Sequence, residues 1–312
     1  MNCAETFEHR LPAALPGNAC FAIVAPAGPA RLDAQKAGQW FAERGYRCRI
    51  YPGVGQAEGY LAGSDQQRLQ DLHDAFADPT IDAVLCMRGG YGSMRLLDQL
   101  DFDLIRRNPK PLIGYSDITA LHTAIYRHSG LISFHGAMLN ADLLGAKLAP
   151  TESSLMAQLS GALGEGEAIV HPTDFVLNCV VPGVASGRLL GGNLSILGAT
   201  LGTLAEIDTK GCILFIEDVN EPLYRVDRLL TQLRLAGKLA GVKGVLVGDF
   251  AGISVAALTP LLLDIFAPLG VPVLAGWRSG HCDPNVCLPL GAEVVLDSEA
   301  RSLVLAQDLF KG

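Results

Sequence analysis

Short apolar runs separated by amphipathic stretches set the rhythm of this chain. Residues 21–25 are five consecutive apolar positions, the pattern of a strand covered on both faces, and Pro26, Gly28 and Pro29 end the run. Residues 33–44 have helical spacing, stopped by Gly45. Residues 47–51 read as a second strand. Ser64-Asp65-Gln66-Gln67 is a capping box that opens a helix through Leu69, Leu72 and Phe76 to Ala77. Residues 81–87 form a third strand that runs into Arg88-Gly89-Gly90-Tyr91-Gly92-Ser93, followed by a helical stretch at 94–100. Leu112-Ile113 is a short fourth strand, after which Ile118, Leu121 and Ile125 recur at helical spacing. Alternating strand and helix predicts an α/β fold with a parallel sheet and right-handed crossovers. Ligands of such sheets sit beyond the carboxyl ends of the strands. The turns at 88–93 and 114–117 therefore open onto one edge.

The second half has a different pattern. Residues 161–166 are rich in Gly and Glu, and Pro172 and Pro182 punctuate the next twenty positions, so 161–186 reads as a linker with one strand near 175–181. It separates an N-terminal domain, 1–160, from a C-terminal domain, 187–312. Gly191-Gly192-Asn193 is either a bend or a place of close backbone approach. Strands are predicted at 212–216, 244–248 and 271–275, helices at 225–236 and 260–266, and a terminal hairpin at 292–296 and 302–306. This half is an α/β unit with a mixed sheet.

Composition narrows the functional classes. Of 312 residues 49% are hydrophobic and 18% charged, which describes a well-packed globular protein and not a disordered one. A net charge of −8 without a basic stripe argues against a nucleic-acid partner. No run approaches the roughly 18 apolar residues that span a bilayer. The first 20 residues, with Glu5, Glu8, His9 and Arg10, lack the pattern of an export signal. The eight cysteines show no paired C-x-x-C spacing, so they read as reduced thiols of a cytoplasmic protein, with no metal site.

Chemistry concentrates at strand ends. Ser116 follows Gly114-Tyr115 on a strand-to-helix turn, which exposes a hydroxyl and aims backbone N–H groups at it. Ser116 and Asp117 are equally the residue types that cap helices. The glycines at 89, 90 and 92 depart from the G-x-G-x-x-G dinucleotide fingerprint, leaving a tight turn or unhindered N–H groups for a developing oxyanion. Glu217 and His281 each stand just after a predicted strand. A serine needs a base to become nucleophilic, a neutral imidazole can take and return that proton, and a carboxylate fixes the imidazole's tautomer. The three residues supply these parts in the order Ser, Glu, His. The residues alone leave Glu217 and Asp218 equal as partners of His281.

The ordered set of motifs resembles the serine LD-carboxypeptidase family, peptidase S66. It comprises Ile23-Val24-Ala25-Pro26, the Arg88–Ser93 turn, Gly114-Tyr115-Ser116-Asp117-Ile118-Thr119, Gly191-Gly192-Asn193-Leu194, Glu217-Asp218 with Glu221, Tyr224, Asp227 and Arg228, and Gly280-His281 leading to Leu288-Pro289-Leu290-Gly291. The resemblance implies a parallel-sheet (flavodoxin-like) N-terminal domain, a mixed-sheet C-terminal domain and an active site at their interface. It implies Ser116 as nucleophile, His281 as general base and acid, Glu217 as its orienting carboxylate, and the N–H groups of Gly90 and Asp117 as the oxyanion hole. Arg88, Tyr91, Trp277 and Arg278 are candidate substrate contacts, an arginine pairing with a free carboxylate. The resemblance further implies catalysis without cofactor or metal, a homodimer, and cytoplasmic murein tetrapeptides as substrates, cut at an L,D amide bond to release D-alanine. Two alternatives are a hydrolase similar to the microcin-immunity peptidases and a protein that binds murein fragments without cutting them.

Overall fold

The computed structural model describes residues 10–311, so the Glu5, Glu8 and His9 portion of the terminal segment lies outside the described residues. The chain opens with strands β1 (Cys20–Val24), β2 (Arg47–Ile50), β3 (Ala83–Cys86), β4 (Leu112–Gly114) and β5 (Ser133–His135). Then come β6 (Asn178–Val181), β7 (Val184–Asn193), β8 (Cys212–Val219), β9 (Gly244–Ala251) and β10 (Val273–Ala275). The last are β11 (Leu288–Leu290), β12 (Glu293–Asp297) and β13 (Ser302–Leu305).

These strands build two sheets, ordered β11-β5-β4-β3-β1-β2 and β13-β12-β7-β8-β9-β10-β6. In the first, β1 to β5 pair in parallel, as the alternation predicts. Its edge strand β11 is antiparallel and comes from the far end of the chain. In the second, β7 to β10 are parallel, while β6, β12 and β13 pair antiparallel.

Side chains alternate faces along a strand, and the burial follows that period of two. Phe21, Ile23, Leu85 and Phe134 enter one core, and Ala22, Val24, Val84 and Leu112 enter another. The first core continues into Leu189, Ile213, Phe215 and Leu246 of the second sheet. The two halves therefore share this first core, while each keeps a further one of its own. At roughly 25 cal/mol per Å² of apolar surface removed from water, such a shared core binds them firmly.

Several expectations need correction. Within 161–186 the strand expected near 175–181 is β6 (Asn178–Val181), and the stretch is more embedded than a linker: β6 pairs with β10, and Ala168 bridges Val304. Of the two readings of Gly191-Gly192 the bend fails and close approach holds: both lie in β7, and a Cβ on Gly191 would strike Phe215 O. The stretch expected to be helical at 94–100 forms 3₁₀ turns over Ser93–Gln99. The helix expected to begin at Pro260 spans Val255–Phe266, capped by Ser254, and carries the proline in its interior. Strands β5 and β11 and helix Thr151–Leu159 were not expected; three-residue strands are too short to show a period.

Candidate active site

The end of β4 leads through extended Tyr115 to Ser116, whose backbone φ is +65°. This left-handed conformation is uncommon for a residue with a side chain and marks a strained turn. Gly89, on the turn after neighbouring β3, packs directly against it. A Cβ there would stand 2.8 Å from Ser116 Cβ and 3.0 Å from Ser116 Oγ, so only glycine fits.

The capping alternative fails. Helix Thr119–Ser129 has Ile118 at its N-cap without a side-chain bond. Asp117 faces the glycine turn instead: its Oδ2 accepts from Ser93 N at 2.9 Å, and its carbonyl accepts from Ser93 Oγ at 2.7 Å. Burial pushes the Asp117 carboxyl up from its ordinary range, and the bonds from Ser93 and Gly92 partly offset this. The two turns are thus tied together. Gly90 and Asp117, whose N–H groups are the expected oxyanion donors, flank the serine on these turns.

Glu217 lies within β8, which continues to Val219 instead of ending at Ile216. The β8–β9 register shifts between Ile216 and Asp218. Such an irregularity re-aims a side chain, as bulges near active sites do. Glu217 is fully buried and Asp218 nearly so, yet only Glu217 meets the histidine. Asp218 is engaged elsewhere: its Oδ1 accepts from Asn193 Nδ2 and its Oδ2 from the backbone N and hydroxyl of Ser195. The choice left open by the residues alone is therefore made by geometry.

His281 occupies the loop after β10. Its Nδ1 lies 2.7 Å from Glu217 Oε2 and its Nε2 lies 3.0 Å from Ser116 Oγ. With the proton on Nδ1 donated to Glu217, Nε2 is the acceptor for the serine hydroxyl. Burial pulls the imidazole down, but the hydrogen bond and charge of Glu217 outweigh it, so His281 stands above the ordinary histidine value. Burial pushes Glu217 up, with His281 opposing. Gly280 must be glycine, since a Cβ would strike the Glu217 carboxylate and its φ is +109°. The Tyr115 ring packs edge-on to the imidazole at 5.1 Å between centroids.

The N-terminal half holds this loop in place. Lys147 Nζ donates to Cys282 O at 3.2 Å, Asn285 N to Thr151 Oγ1 at 2.9 Å, and Cys287 N to Ser154 Oγ at 3.0 Å. None of these supports was apparent in the sequence, because polar residues on an amphipathic helix look the same whether solvated or used. Also unforeseen is His135 at the end of β5, fully buried between Tyr115 and Phe215.

The expected substrate contacts divide. Arg88 and Tyr91 are exposed and line a depression of about 550 Å³ with Gly28, Pro29, Tyr60 and Gly90, directly beside the serine turn. Tyr60, not foreseen, stands 5.8 Å from Tyr91 between ring centroids. Trp277 is only 1% exposed and packs against His171 in the shared core, so it is a packing residue and no wall of a cleft. Arg278 is likewise committed inward, paired with Asp249 at 3.0 Å and donating to Asp283 O at 2.9 Å. A larger depression of about 650 Å³ near Leu201 and Arg228 contains none of the site residues. Among the described residues no cluster of His, Cys, Asp or Glu is arranged to hold a metal ion, and the seven described cysteines are free.

A hydroxyl, imidazole and carboxylate hydrogen-bonded in sequence, on a strained turn beside backbone donors, define the site of a hydrolase. Comparison with known proteins agrees. The model of the LD-carboxypeptidase N-terminal domain, peptidase S66, matches residues 21–136, and that of the LD-carboxypeptidase C-terminal domain matches residues 186–296. A probable murein peptide carboxypeptidase of Bacillus subtilis is 40% identical over 93% of this chain and 92% of its own length. The murein tetrapeptide carboxypeptidase of Pseudomonas aeruginosa is 36% identical over 76% of this chain and 80% of its own. A solved MccF-like protein of Bacillus anthracis superposes with a TM-score of 0.89 at 27% identity, covering 96% of this chain and 99% of that one. The chain belongs to the LD-carboxypeptidase family, peptidase S66.

Proposed function

We propose that this peptidase is a serine LD-carboxypeptidase that releases the terminal D-alanine of murein tetrapeptides through an acyl-enzyme. The observation that carries the reading is the continuous hydrogen-bonded chain Ser116–His281–Glu217, assembled from three separate elements. His281 Nε2 takes the hydroxyl proton as Ser116 Oγ attacks the scissile carbonyl. The oxyanion forms between the N–H groups of Gly90 and Asp117. The imidazolium, stabilised by Glu217, then gives its proton to the leaving amine of D-alanine. Water, activated by the same imidazole, hydrolyses the ester and frees the serine. Arg88 supplies the charge for a substrate carboxylate, and Tyr91 an apolar wall beside it.

The murein substrate rests on the identity to the carboxypeptidases of Bacillus subtilis and Pseudomonas aeruginosa. Cytoplasmic peptidoglycan recycling and a homodimer extend the reading on the family resemblance. The likeness to the MccF-like protein supports a second reading, a relative of the microcin-immunity peptidases.

One experiment separates them. Purified protein is incubated with a murein tetrapeptide ending in D-alanine, or with a peptidyl-nucleotide, and the products are weighed by mass spectrometry. Loss of one alanine by the unmodified protein, and none by Ser116→Ala, is expected. Turnover of the peptidyl-nucleotide alone would overturn the murein reading.

A further inference from the structure

The glycine turn that carries Gly90 is held by a residue remote from the triad. Arg68, on helix Asp65–Ala77, is 1% exposed. Its Nη1 donates to two backbone carbonyls, Pro26 O and Gly92 O, the latter at 2.9 Å. Its Nη2 pairs with Asp65. Pro26 belongs to the loop after β1 and Gly92 to the turn after β3, so one guanidinium bridges two turns on the same edge of the sheet. A second tie joins them, Gly28 N donating to Gly89 O at 3.1 Å. On the other side Ser93 is fixed to Asp117.

Burying a guanidinium is costly, and a helix-capping position nearby does not need one. Removing it for stability alone would suit an apolar side chain as well. What an apolar residue cannot do is donate to carbonyls; here one nitrogen, Nη1, donates to both, its direction fixed by the rigid planar guanidinium that a lysine lacks. Gly92 leaves room for it: with φ +137°, a Cβ at this position would stand 2.7 Å from Arg68 Nη1. Gly89 touches Ser116, and Gly90 lies between Gly89 and the anchored Gly92. The path of the residue whose N–H meets the oxyanion is thus set at both ends.

We propose that Arg68 is a positioning residue for the oxyanion hole, acting through Gly92 and Pro26 on the placement of the Gly90 N–H. This deepens the proposed function and rests on it for the identity of the peptide substrate. It does not rest on it for the nucleophile, because a fluorophosphonate reports on any serine activated beside an oxyanion hole.

The test compares Arg68→Lys with two controls, Asp65→Asn and Arg95→Met. Arg95 shares Asp65, binding its carboxylate at 2.7 Å, and neither control removes a carbonyl bond of Arg68. For Arg68→Lys, kcat on the tetrapeptide and the rate of fluorophosphonate labelling should both fall about 10²-fold, the scale of an ångström-sized misplacement. KM should stay within about threefold. Both controls should keep kcat and labelling within about threefold even where melting temperature drops. Unchanged labelling and kcat in Arg68→Lys, or equal losses in the controls, would overturn the proposal. Should Arg68→Lys not fold, Gly92→Ala, which pushes into the guanidinium, must show the same joint loss, and its absence counts equally against the proposal. A wild-type protein that is labelled but leaves the tetrapeptide uncut would refute the substrate, not the role of Arg68.

Discussion

In the proposed mechanism Glu217 sets the pH at which His281 is ready to act. Only the neutral imidazole accepts the Ser116 proton, so activity falls as pH drops through the histidine's pKa, which the Glu217 bond and charge hold above the ordinary value of about 6.5. Glu217→Gln removes those raising influences and leaves the burial that lowers it. The acid limb of the kcat/KM profile should therefore move to lower pH, while kcat at its plateau falls by about 10⁴-fold, as expected when a triad carboxylate becomes an amide and the tautomer is lost. An unmoved acid limb would mean that another group titrates. At this scale the motifs pointed to Ser116, Glu217 and His281, three residues that the fold brings within hydrogen-bonding distance of one another. The sequence misled where the role depends on burial. Trp277 and Arg278 stand in a Gly-flanked loop that looks exposed, yet the loop folds inward against His171 and Asp249.

Elements are tied by polar groups as well as by apolar faces. On helix Thr119–Ser129, His122 reaches Gly114 O with Nε2 at 2.9 Å and Ser133 Oγ with Nδ1 at 2.7 Å, linking the ends of β4 and β5. Burial holds it neutral, with its pKa lowered to about 4. The unfolded chain takes up a proton below about pH 6.5 that the folded protein refuses until about pH 4. Stability conferred by this residue is thus complete at neutral pH and lost as pH falls through that window, by about 3 kcal/mol. Replacing His122 with Gln should flatten the decline of melting temperature between pH 7 and 4, and an unaltered slope would count against it. Most strands and helices were legible from period and capping residues. Among those missed, β5 and β11 are three residues long and depend on neighbours far along the chain, while the ten-residue β7 (Val184–Asn193) is interrupted by glycines that hide its period.

At the scale of the molecule, the division into two domains is visible in the sequence but incomplete as a description. Strand β11 leaves the second half to close the edge of the first sheet, with Leu288 opposite His135 and Leu290 opposite Ser133. No local pattern announces such a return. Residues 1–160 expressed alone should accordingly aggregate through the open β5 edge and resist fluorophosphonate labelling, although Ser116 is present. Co-expression with 161–312 should restore labelling. Stable, labelled 1–160 would show that the first half is self-sufficient.

The wide separation of Ser116 from His281 also has a bearing on synthesis. A growing chain exposes its serine early, without the imidazole proposed to activate it, and would stay inert until His281, 165 residues further on, has emerged and docked. On the proposed mechanism, a serine-directed probe applied to ribosome-bound chains would therefore pass over those in which His281 has not yet emerged and mark those in which it has docked on Ser116.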